Sequence, residues 1–201
     1  MEKQRDSLRT ERAVEAPHTI SPIETVRREI VWSSPWYQIR QDQIILPDGS
    51  PGVFNVIMHP GAAFIIPVTD KGQIVLLRHY RYTVEDWCWE IPAGGLNEDT
   101  TPVETAAAEL REEIGGTART LEYLGQFYTA NGICDEIAHV FLASGVQLAE
   151  PNHEPLEVME IHPMPAEEVF KMAHSNKISD GPSALALLLF EEKIRIYLDN
   201  S

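Results

Sequence analysis

The sequence predicts an α+β fold in which helices pack on a mixed β-sheet. Three observations support this class. Short apolar runs separated by turn residues fill the first half of the chain, one well-capped helix follows them, and helical periodicity returns near the C-terminus. With 201 residues, of which 43% are hydrophobic, the chain is long enough to bury a core of ordinary size.

The predicted strands are recognised by the turn residues that end them. Pro47-Asp48-Gly49, Pro60-Gly61 and Asp70-Lys71-Gly72 separate the early strands, which we expect to be antiparallel. The predicted strands cover residues 37–46, 53–58, 62–68, 74–77, 120–129, 137–143 and 158–161. Helical patterns cover residues 166–174 and 183–198.

The chain divides into three predicted regions. Residues 1–29 contain Pro17 and Pro22 and form an arm that is mobile or docked on a partner. Residues 30–61 form a segment of N-terminal strands, and residues 62–201 form the main domain.

The charge of the chain excludes a general role in binding polyanions. Sixteen Lys and Arg residues stand against 31 Asp and Glu residues, which gives a net charge of −15. Such a charge repels phosphate backbones and anionic bilayers, so we expect no nucleic-acid or membrane partner. The longest apolar run, 184–190, is far shorter than the roughly 20 residues of a membrane-spanning helix.

The N-terminal residues and the cysteines indicate a compartment. Residues 1–16 mix acidic and basic side chains without an apolar block, so no secretory or transit peptide is predicted and we expect a cytoplasmic protein. Cys88 and Cys134 lie far apart without metal-ligand spacing, which favours reduced thiols.

One helix contains the densest chemistry of the chain. Thr101 and Glu104 have the spacing of a capping box, Pro102 suits the first helical position, and Gly115 suits a left-handed C-cap. The sequence therefore predicts a helix from about Pro102 to Ile114.

This helix has an acidic face and an apolar face. Glu109, Glu112 and Glu113 share the acidic face, and the apolar face holds Val103, Ala107, Leu110 and Ile114. Neighbouring carboxylates destabilise an isolated helix by a few tenths of a kcal/mol per pair, whereas a bound divalent cation would stabilise them. The alternative is a solvated acidic face, but the glycine-rich turn before the helix favours a Mg²⁺ or Mn²⁺ site.

Residues 94–116 resemble the signature of the Nudix hydrolases, G-x5-E-x7-R-E-U-x-E-E-x-G-U, where U is a bulky aliphatic residue. Six of the nine specified positions agree: Gly94, Glu109, Leu110, Glu112, Glu113 and Gly115. Thr100, Ala108 and Gly116 depart from it. The charges missing at the first two of these positions are lost together, which leaves no unpaired ion, so we expect metal binding to persist.

Other segments resemble the branch of this family that hydrolyses ADP-ribose and nucleoside diphosphate sugars. They are residues 34–36, 77–81, 87–94, 131–136 and 178–180 within a resemblance that covers about 30–198. The resemblance implies a mixed sheet sandwiched by helices, preceded by an antiparallel segment at 30–61 that serves dimerisation and base binding. It further implies a homodimer that cleaves the diphosphate of a nucleotide sugar with Mg²⁺. The alternative is a catalytically weakened sensor that only binds such a ligand.

The resemblance also assigns roles around the diphosphate. The metal ligands are the Ala93 carbonyl, Glu109, Glu112 and Glu113, of which Glu112 also counts as catalytic. Glu154 is the first candidate and Glu157 the second for accepting the proton of the attacking water, against the alternative that both are solvated loop acids.

Substrate contacts are assigned to six further residues. Arg78 and Arg81 would clamp phosphate oxygens, unless they are ordinary surface charges at the end of a strand. Glu90 is placed beside the substrate, and Glu136 meets a sugar hydroxyl or is a surface charge. Trp32 and Trp36 belong to the base-stacking segment, although for Trp36 plain packing explains the sequence equally well.

Overall fold

The computed structural model describes residues 21–97, 99–153 and 155–200. The N-terminal strands are β1 (Glu24–Ser33), β2 (Gln38–Ile45) and β3 (Pro51–Met58), which form a three-stranded sheet in the order β1-β2-β3. Strand β1 therefore begins inside the segment predicted as an arm. Every residue of β1 is exposed, and its sequence, ETVRREIVWS, does not alternate apolar and polar residues, so the pattern by which strands are predicted is missing.

The main sheet contains seven strands: β4 (Ala62–Thr69), β5 (Gln73–Arg81), β6 (Asp86–Glu90), β7 (Ala93–Gly95), β8 (Thr120–Tyr128), β9 (Ile137–Val146) and β10 (Met159–Pro165). The order of the long strands is β10-β5-β4-β9-β8, and β6 pairs with β5 while β7 pairs with β4. Strands β4 and β9 are parallel, whereas the other described pairs are antiparallel. The predicted mixed sheet is confirmed.

Four helices are described: α1 (Pro102–Ile114), α2 (Ala166–His174), α3 (Gly181–Leu189) and α4 (Glu191–Asp199). The predicted bounds of α1 and α2 are confirmed. The helical pattern over 183–198 is present as two helices, α3 and α4, because Phe190 leaves helical geometry with φ −108° and ψ 11°. The Phe190 ring packs on Gly125, where an added Cβ would lie only 3.0 Å from the ring. None of the described helices is long and apolar enough to cross a bilayer.

The core lies on both faces of the main sheet. Alternate residues of β4 divide between the two faces, since side chains of a strand point to opposite sides in turn. Ile66 and Val68 belong to the core under α2, α3 and α4, which includes Phe170 and Leu187. Ile65 belongs to the core under α1. The helices therefore sandwich the sheet, as predicted.

The main sheet opens between β4 and β5, and this opening places the glycine-rich turn. Strand β5 pairs with β4 at Val68 and Ile74 and then turns to β6, where Leu77 lies opposite Glu90. The start of β4 pairs instead with β7. The Pro92 carbonyl accepts a hydrogen bond of 2.8 Å from Ile65 N. Residues 90–95 therefore lie between β4 and β5 and are bonded to the sheet on both sides.

Candidate active site

Local interactions fix both ends of α1. Thr101 N donates to Glu104 Oε2 at 2.8 Å, and Glu104 N donates to Thr101 Oγ1 at 3.4 Å, which confirms the capping box. Gly115 has φ 61°, and Gly116 N donates to the Leu110 carbonyl at 2.7 Å. A Cβ on Gly115 would lie 2.2 Å from the Ala149 carbonyl oxygen, so a side chain there is excluded by the backbone that follows the helix.

Two departures from the family signature have a structural explanation. At the position of the signature Glu, Thr100 Oγ1 lies 2.9 Å from Thr105 Oγ1 and accepts a hydrogen bond from Asn97 N at 3.2 Å, so its hydroxyl ties the loop to the helix. A Cβ on Gly116 would lie 3.0 Å from the Ile114 side chain and 3.1 Å from the Leu110 side chain, so the aliphatic residue of the signature would have to displace both. The structure gives no specific reason for Ala108.

The apolar face of α1 differs in part from the predicted one. Leu110 and Ile114 are buried as expected, but Val103 is 44% exposed and is replaced in the core by Ala106. The buried side of α1 therefore includes Glu113, of which only 3% of the surface is exposed. The acidic face is therefore only partly solvated, because the Glu113 carboxylate lies in the protein interior.

Two of the three glutamates lie against the glycine-rich turn. Glu113 Oε2 accepts a hydrogen bond of 2.9 Å from Ala93 N. Burial, the neighbouring Glu109 carboxylate and the charge of Glu157 together raise the pKa of Glu113 well above its ordinary value. A Cβ on Gly94 would lie 1.9 Å from Glu109 Oε1, so only glycine allows this carboxylate its position. Glu112, by contrast, is exposed.

These donors fit a hard divalent cation. Gly94 leaves room for the Glu109 carboxylate, and burial beside Glu109 disfavours the negative charge of Glu113. A divalent cation bound between these two carboxylates would compensate both charges. Within residues 21–97, 99–153 and 155–200, however, no three Asp, Glu, His or Cys side chains converge tightly enough to form a finished metal site. Glu112 would have to turn toward the other two.

Arg81 and Glu90 form a closely bonded pair beside this turn. Arg81 Nε lies 2.9 Å from Glu90 Oε1, and Arg81 Nη2 lies 2.6 Å from Glu90 Oε2. Burial raises the pKa of Glu90, although the Arg81 charge acts in the opposite direction. An open cavity of about 550 Å³ lies beside the pair and is also lined by Asp180 at the start of α3.

The buried side chain of His79 lies beside Glu90, and one nitrogen of its ring has no hydrogen-bond partner. His79 is 6% exposed, and its Nδ1 is a buried nitrogen with no partner, 3.8 Å from Glu90 Oε2. Burial, the charge of Arg81 and the nearby His153 lower the pKa of His79 to about 4. The side chain is therefore neutral at physiological pH.

The structure does not bring the two predicted arginine clamps together. Arg78 and Arg81 stand three residues apart on β5 and so point to opposite faces of the strand. The Arg78 guanidinium lies over the rings of Trp87 and Trp89, at 5.5 and 5.9 Å from their centroids. These tryptophans are half-buried and hold Arg78.

The loop after β9 returns to the C-terminal end of α1. Asn152 N donates to the Glu112 carbonyl at 2.8 Å, and His153 Nε2 lies 2.7 Å from the Glu113 carbonyl oxygen. Glu157 is half-buried, and its negative charge contributes to the raised pKa of Glu113. The first candidate for the base, Glu154, lies outside the described residues. Sequence reasoning missed His153, which no spacing connects with the helix.

Away from the acidic helix, the Glu136 carboxylate contacts two side chains, those of His59 and Thr129. Glu136 Oε1 lies 2.9 Å from His59 Nδ1, and Glu136 Oε2 accepts a hydrogen bond of 2.6 Å from Thr129 Oγ1. These two hydrogen bonds lower the pKa of Glu136 despite its partial burial. His59 was not predicted, because a histidine between two strands carries no signal of its own in the sequence.

The tryptophans of the base-binding segment are exposed. Trp36 is 69% exposed, and its backbone N–H donates to Ser34 Oγ at 3.2 Å. Trp32 is 46% exposed, with its ring centroid 5.1 Å from that of Tyr37. Both tryptophans therefore keep ring surface that a base would cover.

Comparison with known proteins identifies the class. Residues 58–184 match the NUDIX domain, and residues 23–57 match the nucleoside diphosphate sugar hydrolase N-terminal domain. Since the first match covers more than half of the chain, the protein belongs to the Nudix family and is a hydrolase. The family predicted from the signature is confirmed.

Individual relatives agree with this class. An ADP-ribose pyrophosphatase of Bacillus subtilis (strain 168) is 33% identical over 171 residues, which cover 84% of this chain and 92% of the relative. A methanol dehydrogenase activator of Bacillus methanolicus is 30% identical over 165 residues, covering 81% and 89%. The crystal structure of an ADP compounds hydrolase matches with a TM-score of 0.75 over 88% of this chain and 96% of that chain, and its 19% identity supports the fold alone.

Proposed function

We propose that the protein is a Mg²⁺-dependent pyrophosphohydrolase that splits ADP-ribose or a related nucleoside diphosphate sugar into a nucleoside monophosphate and a sugar phosphate. The observation that carries the proposal is the position of Glu109 and Glu113 against Ala93 and Gly94. The names of the N-terminal domain and of the Bacillus subtilis relative support the substrate class.

The chemistry requires charge neutralisation, an oriented water and a proton acceptor. Ala93 O, Glu109, Glu112 and Glu113 would hold Mg²⁺, which when bound offsets the negative charge of the diphosphate. The water oxygen forms the new bond to phosphorus, the bridging P–O bond breaks, and the water proton passes to Glu154 or Glu157.

The substrate contacts keep part of the assignment made from the sequence. Arg81, whose charge acts on Glu113, would contact phosphate oxygens from its pair with Glu90, whereas Arg78 points to the opposite face of β5. Trp32 and Trp36 offer ring surface for the base. The exposed apolar side chains of β1, such as Val26 and Ile30, support a homodimer formed by the N-terminal strands. Sedimentation equilibrium is expected to give the mass of two chains.

A substrate panel tests the function. The protein is incubated with Mg²⁺ and ADP-ribose, ADP-glucose, GDP-mannose, UDP-glucose or a dinucleotide, and the released monophosphate is identified. We expect one nucleotide sugar to be cleaved and Glu113→Gln to lower kcat by about 100-fold or more, since a ligand of the cation is lost. Tight binding without product would favour the sensor, and an unchanged rate in the variant would exclude Glu113 as a ligand.

The proton acceptor is assigned by two matched variants. Glu154→Gln and Glu157→Gln remove one loop carboxylate each and keep the side-chain volume. The variant of the true base is expected to slow hydrolysis by about 100-fold while Mg²⁺ affinity stays nearly the same. If both variants keep the wild-type rate, neither loop glutamate accepts the proton.

A further inference from the structure

The imidazole of His59 lies beside the glycine-rich turn, on the side opposite to Glu109. A Cβ on Gly95 would lie 3.6 Å from His59 Cε1 and 3.9 Å from His59 Nε2, whereas a Cβ on Gly94 would meet Glu109. Gly94 and Gly95 are consecutive residues of β7, with Cα atoms about 3.8 Å apart. His59 and the Glu109 carboxylate therefore flank the same short turn on its two sides.

The position of His59 is fixed on its backbone and on one edge of its ring. His59 N donates to Asp135 Oδ1 at 2.9 Å, and the neighbouring Ile57 exchanges backbone hydrogen bonds with the loop that ends at Glu136. Both the His59 and the Glu136 side chains are only 21% exposed. The ring is thus held as part of the folded loop and not as a free surface side chain.

The contacts of Nδ1 decide the tautomer. Glu136 Oε1 lies 2.9 Å from this nitrogen, and Gly61 N lies at a longer distance of 3.2 Å. Gly61 N would donate to a bare Nδ1, but a bare Nδ1 would also set its lone pair against the Glu136 carboxylate oxygen at 2.9 Å. We therefore assign the proton to Nδ1, facing Glu136. In the neutral ring the lone pair is then on Nε2, which becomes a hydrogen-bond acceptor.

The remaining acceptor capacity belongs to His59 and not to Glu136. Glu136 Oε1 and Oε2 already accept from His59 and Thr129. In the part of the chain that the structure describes, no group hydrogen bonds to His59 Nε2. A nitrogen lone pair accepts a hydrogen bond from a hydroxyl group, whereas phosphate oxygens are acceptors themselves and would need a donor.

We propose that His59 Nε2 accepts a hydrogen bond from a sugar hydroxyl of the substrate, and that Glu136 is a positioning residue that orients the His59 ring. This inference rests on the proposed function, because it takes the ligand to be a nucleoside diphosphate sugar. It replaces the direct contact between Glu136 and the sugar that the sequence suggested.

The test uses a variant that separates the two ring nitrogens. In His59→Asn the amide nitrogen occupies the place of Nδ1 and still donates to Glu136, but no atom replaces Nε2. KM for the preferred nucleotide sugar is expected to rise roughly 3- to 10-fold, as for the loss of one neutral hydrogen bond, with kcat within about twofold. Deoxy analogues of the substrate complete the cycle: the wild type should discriminate against one of them, and the variant should not.

A spectroscopic measurement on the wild type keeps the test independent of folding and turnover. The protein labelled with ¹⁵N-histidine is titrated with a non-hydrolysable methylene analogue of the substrate, and the ring nitrogens are observed by NMR. We expect the Nε2 resonance of His59 to move while Nδ1 remains protonated. A stationary Nε2 resonance in the saturated protein, or a His59→Asn enzyme that discriminates like the wild type, would overturn the inference. A wild type that binds the analogue but cleaves no substrate would refute the proposed function and leave the NMR result to decide this one.

Discussion

The substitution Gly94→Ala tests how strictly the glycine-rich turn positions a carboxylate. The new methyl carbon would lie 1.9 Å from Glu109 Oε1, whereas an ordinary contact begins at 3.4 Å. The carboxylate must therefore withdraw by about 1.5 Å, the difference between these two distances. Since the obstacle is the end of a flexible side chain, the free energy of unfolding should fall by about 1 kcal/mol, the low end of the range for an added carbon in a packed site.

The catalytic effect should be much larger than the effect on stability. A misplacement of about 1 Å at a reacting centre costs on the order of 100-fold in rate, which corresponds to about 2.7 kcal/mol. We expect kcat/KM for the preferred nucleotide sugar to fall by at least this factor, while urea unfolding changes little. Gly132→Ala is the matched control, because an added Cβ there meets nothing within 4 Å and should leave both quantities unchanged.

A double variant shows whether the displaced carboxylate is the cause. Glu109→Asp shortens the side chain by one carbon–carbon bond of about 1.5 Å, which makes room for the methyl group that Gly94→Ala introduces. Adding Gly94→Ala to Glu109→Asp should therefore reduce kcat/KM by less than about threefold further. Additive losses in the double variant, or full activity in Gly94→Ala, would contradict this explanation.

Two further predictions concern the Arg81–Glu90 pair and the neighbouring His79. Arg81→Lys removes the two-pronged contact with buried Glu90 and should lower the free energy of unfolding by about 1–3 kcal/mol, whereas Arg119→Lys at an exposed ion pair should change it by less than about 0.5 kcal/mol in the same urea titration. His79 has a pKa of about 4 in the folded chain against 6.5 ordinarily, so the unfolded state binds more protons between these values. Wild-type stability should fall by up to about 3 kcal/mol more than that of His79→Gln as pH drops from 6.5 to about 4, and parallel pH profiles would speak against this coupling.

Sequence reasoning succeeded where structure depends on neighbouring residues. The bounds of α1 follow from Thr101, Glu104 and Gly115, each of which acts within one helical turn. It failed where packing between distant residues overrides the local pattern. The chain leaves helical geometry at Phe190, whose ring packs on the distant Gly125, and the exposed strand β1 has no buried face to produce an alternating pattern.

The candidate site divides in the same way. The residue types and spacing of Glu109, Glu112 and Glu113 indicated a cation site and led to the family. They did not indicate that Glu113 is buried on Ala93 N, or that Glu112 remains exposed. The partnership of His59 with Glu136 had no signal at all, since it joins two loops that meet only in the folded chain.

Local sequence was sufficient to specify a capped acidic helix after a glycine-rich turn, because capping, helical spacing and glycine geometry are properties of short segments. The packed fold was needed to establish which carboxylate is buried, which arginine is bound to Glu90 and which histidine nitrogen is left with a lone pair. These features depend on desolvation and hydrogen bonding between residues far apart in the chain, and both come into being only when the sheet and its helices pack together.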